Sequence, residues 1–537
     1  MNNRRSQRRN LPLFAAAALF LVSPALLGQN PQQVFSEVID VRVVNIEVVV
    51  TDRDGLRVTG LGPQDFLLLV DSQEVPIEYF TEVSGGRAVT RQDDSSTVAV
   101  PAVADDGTVG TSMLVFVDDS FSVKRDRDRA IDRLVEQLPV LGEADRMAVV
   151  AFEGDKLEML SSWTGSIAEL RRVLESAKER RARGLQHEAL LRRPRESGDI
   201  GRIERSLVAE RVADQMRRVI LATTAALRSF AKPPGRKAML LLAGGWPYNP
   251  YELVSTSPWA FDSFYTSSQD FGPALYQPLY DTANRLGYTL YTIDLPGLRF
   301  SGASAEHRTI GQGRLASELS TNRERTENAT LSILADQTGG KAFLNASAKY
   351  ALEEVARDVK SYYWLGFSPA WRGENRRHRL RVHLRDPSLK VRSRRSFSDL
   401  SRKTEVTMMV ESALLLGDMQ GPSALGAEIG EIEGAGFRRI LVPLELLIPL
   451  DALTFLPGAK GWTTQVELRV AVEDKNGNRN EIQVIPLHLD YPAKPAAGEL
   501  GRYTTRLKMR KMKHDLVVSI HDELSGTILW KRLELAP

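Results

Sequence analysis

Cysteine is absent from all 537 residues. This excludes disulfides, thiolate metal ligands, a cysteine nucleophile and a lipid-modified cysteine. Histidine is scarce, with seven in the chain. None has zinc spacing; His378 and His383 are five residues apart on an expected strand. There is no G-x-S-x-G elbow and no Walker P-loop, since Gly339-Gly340-Lys341-Ala342 lacks the earlier glycine and the Ser/Thr. A one-sided charge is missing too. The formal balance is +3, but residues 1–28 carry Arg4, Arg5, Arg8 and Arg9 and no acids. The remaining chain is near neutral, which argues against nucleic acid as a partner. After residue 28 no apolar run approaches membrane-spanning length.

The first 28 residues read as an export signal: a basic start, the apolar segment Leu11–Leu27, then Gly28-Gln29-Asn30. A retained membrane anchor is the competing reading, but Pro12, Ser23 and Pro24 interrupt the segment. The expected location is periplasmic, or secreted to the cell envelope, with no span left after cleavage. Without disulfides, the exported chain must be held by its apolar cores, which suits large domains.

At 42% hydrophobic and 26% charged residues, the composition is globular. Residues 36–85 suggest a small β-domain, with Val44, Ile46, Val48 and Val50 on one strand face. Asp52-Arg53-Asp54-Gly55 reads as a turn. Leu67–Val70 and Ile77–Phe80 read as a hairpin about Asp71-Ser72. Residues 86–110 are small and polar and suggest a linker. Residues 111–370 alternate apolar strands with amphipathic helices, predicting a largely parallel sheet covered on both faces. Tyr363–Phe367 is expected as its last strand. Residues 371–400 form a basic stripe (Arg376, Arg377, Arg379, Arg381, Arg385, Arg392, Arg394, Arg395), read as a hairpin with a solvated face or a contact for an anionic surface. Residues 403–537 read as a sandwich-like β-domain. The expected fold class is therefore multidomain α/β plus β: a central doubly wound, Rossmann-like domain flanked by N-terminal and C-terminal β-domains.

Asp118-Asp119-Ser120-Phe121-Ser122 follows the apolar run Met113–Val117. One carboxylate and two hydroxyls on a tight loop are hard oxygen ligands, the type Mg²⁺ prefers. The same residues can equally cap the loop and the next helix. Ser120 would be a nucleophile only beside a base, which no local signal supplies. The expectation is a non-enzymatic protein.

At this loop the middle of the chain resembles a von Willebrand factor A (vWA) domain. Residues 36–400 are similar to exported VWFA-related proteins of the acidobacterial type. Asp145-Arg146-Met147-Ala148-Val149-Val150-Ala151-Phe152, Tyr291-Thr292-Ile293-Asp294 and Leu334–Gly340 carry the resemblance, as does Tyr362–Pro369. It implies a metal-ion-dependent adhesion site in which Asp118, Ser120 and Ser122 hold Mg²⁺ or Mn²⁺. A threonine from a second loop and an aspartate after the fourth strand would complete it. A protein partner's acidic side chain would take the open position. The sequence departs at two points. Gly244 of Ala243-Gly244-Gly245 stands where that aspartate is expected, and the second-loop region Lys178–Ile203 has no threonine. Asp119 and Asp199 are possible substitutes.

An aromatic loop follows Gly244-Gly245: Trp246, Tyr248, Tyr251, Trp259, Phe261, Phe264, Tyr265, Phe271, Tyr276 and Tyr280. Trp246, Tyr248, Tyr251, Trp259, Phe264 and Tyr265 are the candidate partner-binding residues, because aromatics dominate binding hot spots. A small internal core is the alternative. The functional expectation is an adhesion-type binding protein using this face. A metal-free structural or assembly scaffold of the envelope is the alternative, and a polymer hydrolase the least favoured reading.

Overall fold

The computed structural model describes residues 43–89, 107–154, 156–192, 198–230, 235–250, 272–295, 325–344, 350–369, 372–416, 425–436, 438–458, 461–475, 479 and 482–536. The expected export segment 1–28, most of the expected linker and Tyr251, Trp259, Phe261, Phe264, Tyr265 and Phe271 lie outside them. The side chain of Asp199 is likewise outside. The fold is mixed α/β and β-rich, with five sheets among the described residues. Among the described residues, no helix is long and apolar enough to cross a membrane.

The central sheet has six strands: β1 (Thr111–Asp118), β2 (Arg146–Glu153), β3 (Lys156–Thr164), β4 (Arg236–Ala243), β5 (Tyr288–Asp294) and β6 (Ala342–Phe343). Their spatial order is 3-2-1-4-5-6. All pairs are parallel except β3, which runs antiparallel on one edge. This is a doubly wound order, in which the chain reverses its direction of travel between β1 and β4. β1 is buried along its whole length. Its alternate residues feed two cores, as expected for a parallel strand covered on both faces. Leu114 and Phe116 face helices α4 (Gly198–Ser229) and α5 (Pro273–Leu286). Met113, Val115 and Val117 face α1 (Lys124–Gln137), α2 (Ile167–Lys178) and Ala351–Lys360. Helix α4 leaves Leu207 exposed.

Tyr362–Phe367 does not join this sheet. It pairs antiparallel with Val44–Thr51 and Tyr79–Ser84. The basic segment is not a separate extension either: Arg377–Leu384 pairs with Phe66–Val70, and Lys390–Arg392 with Val44–Thr51. The two resulting sheets enclose one core. Val44, Ile46, Val48, Val50 and Leu365 meet Phe66, Leu68, Leu380 and Val382 there. The expected hairpin about Asp71-Ser72 closes on Gln73–Glu74 instead of Ile77–Phe80. Both turn residues have positive φ, the geometry that favours a tight two-residue hairpin loop. The start of the expected linker 86–110 is instead a short strand, Arg87–Val89, paired with Tyr79–Ser84.

The last region opens with a helix, Arg402–Leu416, where strands were expected. It is apolar on opposite sides. Met408 enters the core around α4, while Val406, Val410 and Ala413 pack on Ala471, Val517 and Trp530. The rest is a two-sheet sandwich. Leu444, Leu446 and Ile448 of Arg439–Pro449 face Val466, Leu468, Val518 and Ile520 of the opposing sheet. Within it Gly461–Asp474 pairs with Val484–Tyr491, and His514–Asp522 with Ile528–Leu535.

Candidate functional site

The apolar run of β1 delivers Asp118 to the carboxyl end of the strand, beside the carboxyl end of β4. This is the crevice where doubly wound sheets place their ligands. Here it is closed. Asp118, Asp119, Ser120 and Ser122 are fully buried, and Phe121 nearly so.

Asp118 accepts four N–H groups. Its Oδ1 receives the backbone N–H of Ser120 at 2.9 Å and of Phe121 at 3.2 Å. Its Oδ2 receives the Trp246 indole N–H at 2.9 Å and, more weakly, the Gly244 N–H at 3.5 Å. Burial pushes the carboxyl up to about 6, against the pull of the bonds from Trp246, Phe121 and Ser120. Ser120 Oγ accepts the Gly154 N–H at 2.9 Å. Ser122 Oγ is buried with no hydrogen-bond partner among the described residues.

Asp119 faces the other way. Arg127 Nη1 reaches it at 2.6 Å and Arg180 Nε at 2.8 Å. Arg127 is fully buried and also donates to the carbonyls of Lys178 and Arg180. Residues 178–184 thus fold over the loop. Arg183 N–H donates to the Asp119 carbonyl at 2.8 Å, and Gly184 N–H to the Ser122 carbonyl at 2.9 Å. Gly184 opens helix α3 (Gly184–Arg192). A Cβ there would lie 2.4 Å from the Ser122 carbonyl carbon, so the approach depends on glycine. On α3, His187 makes an edge contact with Phe121 at 4.7 Å between ring centroids. From α4, Gln215 Nε2 donates to the Ser120 carbonyl at 3.2 Å.

Gly244 closes the other side. A Cβ there would sit 2.3 Å from the Ser122 nitrogen and 2.4 Å from the Phe121 carbonyl carbon. No aspartate can occupy the position while the loop holds this shape.

The aromatic residues divide. Trp246 is fully buried, not presented to a partner, and stacks on Tyr276 with centroids 6.3 Å apart. Tyr276 donates its hydroxyl to the Pro247 carbonyl at 2.5 Å. Tyr280 is also buried, and Tyr248 half-buried. The described start of this segment is therefore core. Of the two readings the sequence offers for Trp246, a partner-binding aromatic or part of a small internal core, the structure has the second, with its indole N–H donated to Asp118. The available signal was its position two residues after Gly244. A buried tryptophan needs an acceptor for its N–H.

No family model matches the chain, and no curated protein matches it. Among solved structures, Bacteroides uniformis β-glucuronidase is 11% identical with a TM-score of 0.15, over 21% of this chain and 13% of that enzyme. The N-terminal domain of TFIIH p34 is 11% identical with a TM-score of 0.19, over 46% of this chain and 97% of that domain. The chain spans a small fraction of the glucuronidase it matches, and both likenesses are too weak to bear on its fold or activity.

Proposed function

We propose that this chain is an exported, non-enzymatic assembly scaffold of the cell envelope, built around a vWA-like domain that works without a metal ion. The vWA-like assignment is supported by the 3-2-1-4-5-6 sheet with one antiparallel edge strand and by D-x-S-x-S at its reversal point. Export rests on the basic and apolar character of residues 1–28.

The observation that carries the metal-free reading is the Trp246–Asp118 hydrogen bond. A divalent ion binds oxygen lone pairs directed into an open position. At Asp118 both oxygens already accept N–H groups, three of them at 2.9–3.2 Å, and these compete with coordination of an ion. With Gly244 supplying no carboxylate and no room for one, these residues do not fit Mg²⁺ or Mn²⁺. An indole N–H takes the place of the cation, and the loop becomes a structural lock. Ser120, facing a backbone N–H inside the protein, is not placed for nucleophilic chemistry. Partner proteins would engage other surfaces, without an acidic group completing a metal shell.

The test is a melting curve of the full chain with millimolar Mg²⁺, with Mn²⁺ and with chelator. The three curves are expected to coincide. A site holding metal at 100 times its Kd would gain about 2.7 kcal/mol, and a rise of that order would overturn the proposal.

A further inference from the structure

The basic stripe has an unassigned feature on its exposed side. Arg377, Arg379 and Arg381 alternate along one strand and share its solvent face, while Leu380 and Val382 point into the sandwich core. This face does not open onto bulk solvent alone. It forms one wall of a cleft of about 510 Å³, whose other wall comes from Tyr280 and the end of helix 325–337. Arg395 closes the cleft, and Ile333 gives it an apolar patch. That volume lies in the range of small-molecule sites, roughly 300–1,000 Å³.

Four arginines and one aspartate, Asp336, line the cleft. Arg377 pairs with Asp281 at 3.0 Å and lies over the Tyr280 ring at 5.9 Å. Arg395 pairs with Asp336 at 2.9 Å, both half-exposed. Arg379 and Arg381 have no carboxylate partner among the described residues. Same-face Cα atoms on a strand are about 6.7 Å apart, close enough for one multivalent anion to reach both guanidinium groups. A planar guanidinium also matches phosphate or carboxylate through two parallel N–H bonds.

We propose that this cleft binds a ligand carrying two or more oxyanion groups, phosphate or carboxylate, held between Arg379 and Arg381. Arg377 is steadied against Tyr280, and Arg395 can exchange its exposed aspartate for the ligand, because such surface pairs contribute little. The apolar patch admits a carbon skeleton between the charged groups.

Calorimetric titration of the full chain with inorganic pyrophosphate and, separately, with citrate tests this at constant ionic strength set by chloride. Saturable binding of at least one probe is expected. Pyrophosphate alone would mark a phosphate ligand, and citrate alone a polycarboxylate. The variant Arg379→Gln/Arg381→Gln, altered at two exposed side chains, is expected to bind about tenfold more weakly or worse, the factor for one lost charge-assisted bond. A control, Arg125→Gln/Arg129→Gln on the exposed face of α1, is expected to bind normally. Absence of saturable binding to both probes, or equal loss in the control, would overturn the proposal.

Discussion

Trp246 and Asp118 are 128 residues apart in the chain and are joined by an indole-to-carboxylate hydrogen bond of 2.9 Å. The bond spans the reversal point of the central sheet, tying the end of β1 to the residues just after β4. It accounts for a fully buried tryptophan N–H and for one oxygen of a fully buried carboxylate.

Trp246→Phe keeps an aromatic ring beside Tyr276 but removes the donor. Leaving the buried Asp118 oxygen short of a partner is expected to cost about 1–3 kcal/mol, read as a lower urea midpoint with an unchanged slope. A double-mutant cycle with Asp118→Asn should show coupling between the two sites. Additive effects would mean the bond contributes nothing.

Asp118 should also leave a signature in the pH dependence of stability. Burial places its carboxyl at about 6, above the ordinary 3.8. Between those values the folded state holds a proton that the unfolded state has released. Stability from this group therefore falls as pH rises from about 4 to 6, by about 3 kcal/mol, and is flat above. Denaturation of the wild type and of Asp118→Asn across pH 4–7 isolates the effect: the difference between them should change over that window. A constant difference would contradict an elevated Asp118.

Gly244→Asp restores the carboxylate that the vWA resemblance leads one to expect. Its Cβ would press on the Phe121–Ser122 backbone, and forced overpacking typically costs about 1–3 kcal/mol. The variant is expected to melt lower and to gain no stability from Mg²⁺. A Mg²⁺-dependent rise in its melting temperature would show that the loop can reopen.

Asp119→Ala takes from the fully buried Arg127 one of its two carboxylates, Asp128 remaining at 2.7 Å. Removing the sole partner of a buried charge costs about 3–5 kcal/mol, so a loss at or below the lower end of that range is expected, whereas replacing both residues by apolar ones is milder. Asp119→Leu/Arg127→Met should therefore be more stable than Asp119→Ala in guanidinium denaturation. Equal losses would argue against the buried pair as the source.

The central sheet was legible because Met113–Val117, Met147–Phe152 and Ala238–Leu242 are unbroken apolar runs, which buried parallel strands require. The place of Asp118 followed from the end of the first run. Tyr362–Phe367 misled for the same reason. All six of its residues are buried, so composition gave no sign that its partners lie in another sheet. Arg402–Leu416 carries Val, Thr and Met where a one-faced helix would be polar. It packs on two sides, which erases the 3.6-residue period. The closed state of the site was not legible, because it depends on contacts between distant residues: Trp246 with Asp118, Gly184 with Ser122, and Arg180 with Asp119.

The N-terminal sandwich has a consequence in time. Ile46 is paired with Leu365, and roughly 320 residues must be synthesised between them, about 16–60 s at 5–20 residues per second. Throughout that interval the first strand has no permanent neighbour. Its hydrogen-bonding edge and its valine-rich face stay available for wrong pairing. During biogenesis the vulnerable stretch of this protein is thus the one that emerges early and matures late, and a holding chaperone would serve it best there.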